Sequence, residues 1–481
     1  MSFFKRYEDK SVINTDRFDR RRFKKIYGMS KKLQEINDFE KPFPTFESLL
    51  GDIWGSLYKM KPILKQKEKI EDELKTNFAL METVLNDDDF LNNREYTKLD
   101  ELSSAIGTVK FGEKTKEWLE EQQKKNEKLN QQLRDIQRMQ KQLENQEKHE
   151  GAGQGNKQLQ DELQQAMKDL HQKISQEISK SQNNFSHKMS QAMQSTQETK
   201  ENVQSLLGGL KAGSGEAELK KVPIREQLKL AENISNNYHL RSIAEWAGRF
   251  KKIAKQKQKN VHHDSVQNSG VSIGNDIEKL LPSELALYKN KKTKLEFLRR
   301  YVEGQTMQYN TKGKETLGKG PIILCLDQSG SMYNLDQQSK GFALALMSIA
   351  KRQKRDFCYI PFSTKTKVYK FIKGKIGASE IIKFSEQFLG GGTNFILPLE
   401  KSLEIINESH FKQSDIVFVT DGEDSLSKDF LNKFNEIKEE KEFSVVSLVI
   451  SGDTDTPKLF SDRVIPINDL DSEGSYTVFE I

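Results

Sequence analysis

Residues Pro321-Ile322-Ile323-Leu324-Cys325-Leu326-Asp327-Gln328-Ser329-Gly330-Ser331-Met332 decide the fold. A continuous apolar run stops abruptly at an aspartate, a Ser-Gly-Ser turn follows, and a long helical pattern begins beyond it. Runs of this kind read as central parallel strands buried on both faces. Open α/β sheets hold ligands just outside the carboxyl ends of such strands. Asp327, Ser329 and Ser331 are therefore delivered together to a binding edge. Oxygen donors of this type suit a hard cation such as Mg2+, with water completing the octahedron.

Outward from that stretch the alternation is regular. Strands are predicted at about 321–327, 356–362, 367–372, 415–420 and 443–450, and helices at about 337–353, 378–388, 396–408 and 427–440. The connection Ser363-Thr364-Lys365-Thr366 is too short for a crossover, so the third strand runs antiparallel to the second. The rest alternates strand with helix, which predicts a doubly wound, mostly parallel α/β sheet with one antiparallel edge strand over residues 320–481.

Two further pieces end at the same edge. Gly390-Gly391-Gly392-Thr393-Asn394 is a glycine-rich loop presenting a hydroxyl, and Val419-Thr420-Asp421-Gly422 puts an aspartate at the end of a buried strand. With the first piece they supply two carboxylates and three hydroxyls. Such a set leaves a coordination position open, which a carboxylate from another protein can fill. Ser329-Gly330-Ser331 has a second reading, as a hydrolase nucleophile. That needs a histidine base, and His410 is the only histidine after residue 263.

Asp-x-Ser-x-Ser, a threonine in a Gly-Gly-Thr loop, and Thr-Asp-Gly, in that order, resemble the metal-ion-dependent adhesion site of von Willebrand factor A (VWA) domains. The resemblance implies that Ser329, Ser331 and Thr393 touch the ion, while Asp327 and Asp421 act mostly through water. The ion would be Mg2+ or another divalent cation such as Mn2+ or Ca2+. A narrower match lies in Leu280-Leu281-Pro282-Ser283-Glu284-Leu285, in Gly320-Pro321 feeding the first strand, and in Lys340-Gly341-Phe342-Ala343-Leu344-Ala345-Leu346. These are similar to ViaA-type, CoxE-like VWA proteins. That family implies a non-enzymatic adaptor or co-chaperone that works with a MoxR-type AAA+ ATPase in maturing protein complexes. Gln328 stands where a threonine is common.

Upstream, residues 1–112 read as helical, and residues 113–206 as a coiled-coil hairpin. One arm carries Leu119, Leu129, Leu133, Ile136 and Leu143, the other Leu159, Leu163, Ala166, Leu170, Ile174 and Ile178, with a glycine-rich turn at 151–155. Residues 207–216 read as a flexible linker. Residues 217–319 read as a helical connector, in which a short extended piece leads into a helix near Asn275 that Pro282 ends.

Composition limits the alternatives. Hydrophobic residues are 35% and charged residues 31% of the 481, so much of the chain lies outside packed cores. A net charge of +6 is too mild to imply nucleic acid. Cys325 and Cys358 lie inside apolar runs and read as buried reduced thiols of a cytoplasmic protein. The chain shows no secretory pattern and no apolar run near the ~20 residues that span a bilayer. The basic start, Arg20-Arg21-Arg22 and Lys24-Lys25 with Phe18, Phe23 and Ile26 between, offers a second expectation: a membrane-peripheral scaffold docked on anionic lipid.

Overall fold

The computed structural model describes residues 10–38, 43–149, 154–208, 219–264, 266–277, 280–313 and 320–480. Residues 151–153 of the predicted turn and 209–216 of the predicted linker lie outside them. The chain divides into two compact units, one built on residues 1–208 and 216–241, the other on 242–377 and 383–481.

The first unit is helical: α1 (Arg17–Tyr27), α2 (Lys31–Asp38), α3 (Phe46–Tyr58), α4 (Lys75–Leu85), α5 (Asp88–Asn93), α6 (Glu101–Lys125), α7 (Glu127–His149), α8 (Gln154–Leu207) and α9 (Ile224–Asn236). Helix α1 starts at a capping box, in which the Asp16 carboxylate accepts from the Asp19 amide and Asp19 accepts from the Asp16 amide. Phe23 and Ile26 are buried and Phe18 is exposed. The seam residues Leu129, Leu133, Ile136, Leu163, Leu170, Ile174 and Ile178 are buried where α7 meets α8. The remainder of α8 packs on α6, with Trp118 edge-on to Phe185. The two helical paths break at one level. Asn126 separates α6 from α7 and donates to Glu177 of α8 at 3.1 Å, and α8 itself kinks at Ser181.

The second unit opens with the end of α10 (Tyr238–Asp264) and a small module between α10 and the main sheet: β1 (Val266–Gly274), α11 (Pro282–Lys289), α12 (Lys294–Val302) and β2 (Thr306–Gly313). Strands β1 and β2 pair antiparallel. This corrects two expectations. The connector is not wholly helical, and Pro282 begins a helix rather than ending one. Proline at the first helical position loses no hydrogen bond and already holds the helical φ.

The main sheet comprises β3 (Ile322–Asp327), β4 (Phe357–Phe362), β5 (Tyr369–Phe371), β6 (Asp415–Thr420), β7 (Val445–Ile450) and β8 (Arg463–Ile467), in the order β5-β4-β3-β6-β7-β8. All neighbours are parallel except β4 and β5. Every residue of β3 is buried. Ile323 and Cys325 pack with Phe395, Leu399, Phe418 and Phe434, residues borne partly by α15 (Ile396–Ile406) and α16 (Lys428–Lys441). The other face carries α13 (Asp336–Gln353), which contacts β3 and β4. Helix α13 meets α10 closely: a Cβ on Gly341 would lie 2.5 Å from Cβ of Trp246. Phe342, Phe250 and Phe479 fill the space beside that contact. Helix α14 (Ala378–Glu386) precedes the glycine-rich loop.

The strand order reverses at β3. Its successor β4 lies on one side and β6 on the other. The crevice between their carboxyl ends is the switch point at which such sheets bind ligands.

Candidate metal site

Asp327 is the last residue of β3 and is buried. One of its oxygens accepts from the Ser329 amide at 2.8 Å, the other from Oγ1 of Thr420 at 2.6 Å. Burial pushes its carboxyl above the ordinary range, the hydrogen bonds from Thr420 and Ser329 oppose that, and the Asp421 charge adds to it. Ser329 Oγ lies 3.1 Å from Ser331 Oγ, which donates to Asp421 Oδ1 at 2.9 Å.

Thr393 comes in from the glycine-rich loop. A Cβ on Gly422, the residue after Asp421, would stand 3.0 Å from Thr393 Oγ1. Two reciprocal backbone bonds tie the loops together: Gly330 donates to Gly391 at 2.8 Å and Gly390 donates to Gln328 at 2.9 Å. Gly390 and Gly391 hold φ of +66° and +90°, where a side chain would be strained. Asp424 accepts from the Phe395 amide at 2.7 Å and so anchors the far end of that loop.

All five predicted residues thus gather at one crevice. The donor chemistry fits a hard cation. Mg2+ holds its ligands at about 2.1 Å, which places neighbouring oxygens of an octahedron about 3 Å apart; the Ser329–Ser331 spacing of 3.1 Å matches that edge. Among the described residues no three of His, Cys, Asp and Glu cluster as a metal site, so the hydroxyls are needed to complete the set. Neither Asp327 nor Asp421 has an ion-pair partner among the described residues.

The nucleophile reading fails on geometry. His410 stands 3.7 Å from Asp356, which immediately precedes β4 and so lies at the opposite, amino-terminal edge of the sheet. Cys325 and Cys358 are buried and free. Burial pushes the Cys325 thiol up to about 12, which keeps it protonated.

Sequence reasoning placed Thr420 in the Thr-Asp-Gly motif but gave it no role; its hydroxyl also accepts from the Gly422 amide at 3.0 Å and so fixes Asp327 and the third loop together. Sequence reasoning also missed what surrounds Gln328. The side chain is buried and its amide reaches Tyr359 at 3.2 Å and Asp336 at 3.4 Å. The available signal was Asp336 and Lys340, opposite charges four apart at the start of an apolar helix.

A mostly parallel six-stranded sheet, closed on one side by an antiparallel strand and carrying these oxygen donors at its switch point, defines a VWA domain. No protein-family model matches the chain. The protein MJ0811 of Methanocaldococcus jannaschii is 30% identical over 98% of this chain and 99% of its own length. The regulatory protein ViaA of Proteus mirabilis is 27% identical over 50% of this chain and 56% of its own, and ViaA of Edwardsiella ictaluri is 33% identical over 32% and 35%. The chain belongs to the family of ViaA-like VWA proteins. A solved von Willebrand factor type A structure from Catenulispora acidiphila overlaps 36% of the chain and 43% of its own, at 13% identity and a TM-score of 0.27. With so small an overlap, the fold rests on the strand order above. No helix among the described residues is long and apolar enough to cross a membrane.

Proposed function

We propose that this protein is a non-enzymatic regulatory adaptor whose VWA domain binds a partner through a Mg2+-dependent adhesion site. Two carboxylates without an ion-pair partner among the described residues, beside three hydroxyls at a switch point, carry the reading. A divalent cation there offsets the charge that Asp327 and Asp421 bring to one crevice. Ser329, Ser331 and Thr393 would hold the ion, Mg2+ first and Mn2+ or Ca2+ as substitutes, and Asp327 and Asp421 would act mostly through bound water. The ion supplies a Lewis-acidic corner for an acidic side chain of a client protein. The finer proposal, from the family resemblance, is that a MoxR-type AAA+ ATPase provides mechanical work while this chain selects the client. Relatives that carry the name regulatory protein agree with such a role.

The lipid reading has less support. Helix α1 buries two of its three interleaved apolar side chains, and Arg22 pairs with Glu101. Only Phe18 of that set faces outward.

Calorimetric titration of the full chain with Mg2+ should give saturable binding that Asp327→Ala and Ser329→Ala remove. Capture of a MoxR-type ATPase or a client should then depend on Mg2+. Equal capture in chelator and by both variants would defeat the metal-bridge mechanism.

A further inference from the structure

Behind the adhesion site lies a polar network within the apolar packing of α13 and β4. Lys340 and Asp336 are both almost wholly buried and meet at 2.6 Å. The same ammonium donates to the backbone carbonyl of Ser385, in the last turn of α14, at 2.9 Å. Gln328, 1% exposed, reaches Asp336, the Tyr359 hydroxyl and the Gln387 carbonyl at 3.4, 3.2 and 3.4 Å. Tyr369 in turn donates to the Gln387 side chain.

Buried ion pairs are poor stabilisers. Desolvation offsets most of their attraction, and apolar replacements of equal volume are often neutral or better. A pair in this place therefore calls for another account, and its connections supply one. Asp336 opens α13, directly after the 3-10 turn Ser331–Leu335 that leads out of the Ser329–Ser331 segment. Ser385 and Gln387 directly precede the loop that carries Thr393. One ammonium and one amide thus bridge the roots of two ligand-bearing loops that are 59 residues apart in sequence at Gln328 and Gln387.

We propose that Lys340, Asp336 and Gln328 are positioning residues for the metal site, holding the Ser329–Ser331 loop and the Thr393 loop in the relation that lets their hydroxyls share one ion. The inference rests on the adhesion-site reading. None of the three touches the ion. They fix the spacing that the reciprocal bonds between Gly330, Gly391, Gly390 and Gln328 alone would leave free to slide.

The test uses the full chain with Lys340→Met and Asp336→Leu combined, which removes both charges and leaves none unpaired, and separately Gln328→Leu. Melting in chelator reports the fold, calorimetric titration reports Mg2+ affinity, and hydrogen exchange in chelator reports the 388–394 loop. The expected result is a melting temperature equal to or above the parent's, Mg2+ affinity at least tenfold weaker, and faster exchange in 388–394. Gln328→Leu should weaken affinity about threefold and keeps the result readable if the double variant does not fold. Parent-like affinity in a folded double variant, or in Gln328→Leu, would overturn the positioning role while leaving the adhesion site standing. Absence of saturable Mg2+ binding by the parent chain would overturn the adhesion site and this inference together.

Discussion

Asp52 of the helical unit and Asp327 of the second unit are both buried, and the two are satisfied differently. Asp52, on α3 of the helical unit, is fully buried and accepts from the Ser11 hydroxyl and from the Val12 amide at 3.2 Å. Lys65 donates to the Ser11 carbonyl beside it at 2.5 Å. Asp327 accepts from a hydroxyl and an amide too, but its charged neighbour is a second carboxylate. Asp52 pins an N-terminal segment with a cation nearby, which is a finished structural contact. Asp327 stands beside Asp421 with no ion-pair partner among the described residues. Burial alone therefore does not separate these two carboxylates; the sign of the nearest charge does.

The largest effect expected from this contrast is in the helical unit. Burial pushes the Asp52 carboxyl up to about 7, against the pull of Ser11, Val12 and Lys65. An unfolded aspartate releases its proton near pH 4. Between about pH 4 and pH 7 the folded chain binds more protons than the unfolded one, so stability falls as pH rises through that window and levels off above it. The span is on the order of 4 kcal/mol. Urea unfolding at pH 5 and pH 8 should show the loss, and Asp52→Asn should abolish it and stabilise the chain at pH 8. A variant with the parent's pH dependence would remove Asp52 from the account.

Asp327→Asn should differ from Asp52→Asn in its effect on Mg2+ binding. Removing a buried charge that faces Asp421 should leave stability in chelator unchanged or raised, yet Mg2+ affinity should fall about a hundredfold, roughly 2.7 kcal/mol. Asp52→Asn should leave Mg2+ affinity untouched. By the same linkage, Mg2+ at about a hundred times the parent's dissociation constant should stabilise the parent against unfolding by about 2.7 kcal/mol and Asp327→Asn by only about 0.4 kcal/mol. Thermal melts in Mg2+ and in chelator check both statements. Parallel behaviour of the two variants would erase the distinction drawn here.

What the sequence showed follows from how local each feature is. Asp327 is visible because it ends an apolar run, and Asp421 for the same reason, so the switch point and its donors could be read directly. Strand β8 could not. Arg463–Ile467 is short, mostly not buried, and contains Pro466, a residue tolerated at a sheet edge but absent from any strand template. The β1–β2 pair also escaped, because pairing Ile273 with Met307 depends on a connection of more than thirty residues through two helices, and no turn motif marks it. Lys340 lay in plain sight, but its meaning depends on the Ser385 carbonyl, which only the folded chain brings near. Periodicity reports which face is buried; it says nothing of which buried polar groups meet.

Thr420 gives the smallest and sharpest test. Its hydroxyl donates to Asp327 and accepts from the Gly422 amide, so it joins the strand end that supplies one carboxylate to the turn that supplies the other. Thr420→Val keeps the shape and the β-branched fit in a strand that is buried throughout this end, but removes both bonds and leaves the Gly422 amide without its acceptor. Losing one buried hydrogen bond to a charged group costs about 1.5–3 kcal/mol, part of it in stability and part in the orientation of Asp327. A fall in Mg2+ affinity of about tenfold, roughly 1.4 kcal/mol, is expected. Thr420→Ser, which restores the hydroxyl, should recover most of it. If serine and valine at this position weaken Mg2+ binding alike, the hydroxyl is not what orients Asp327.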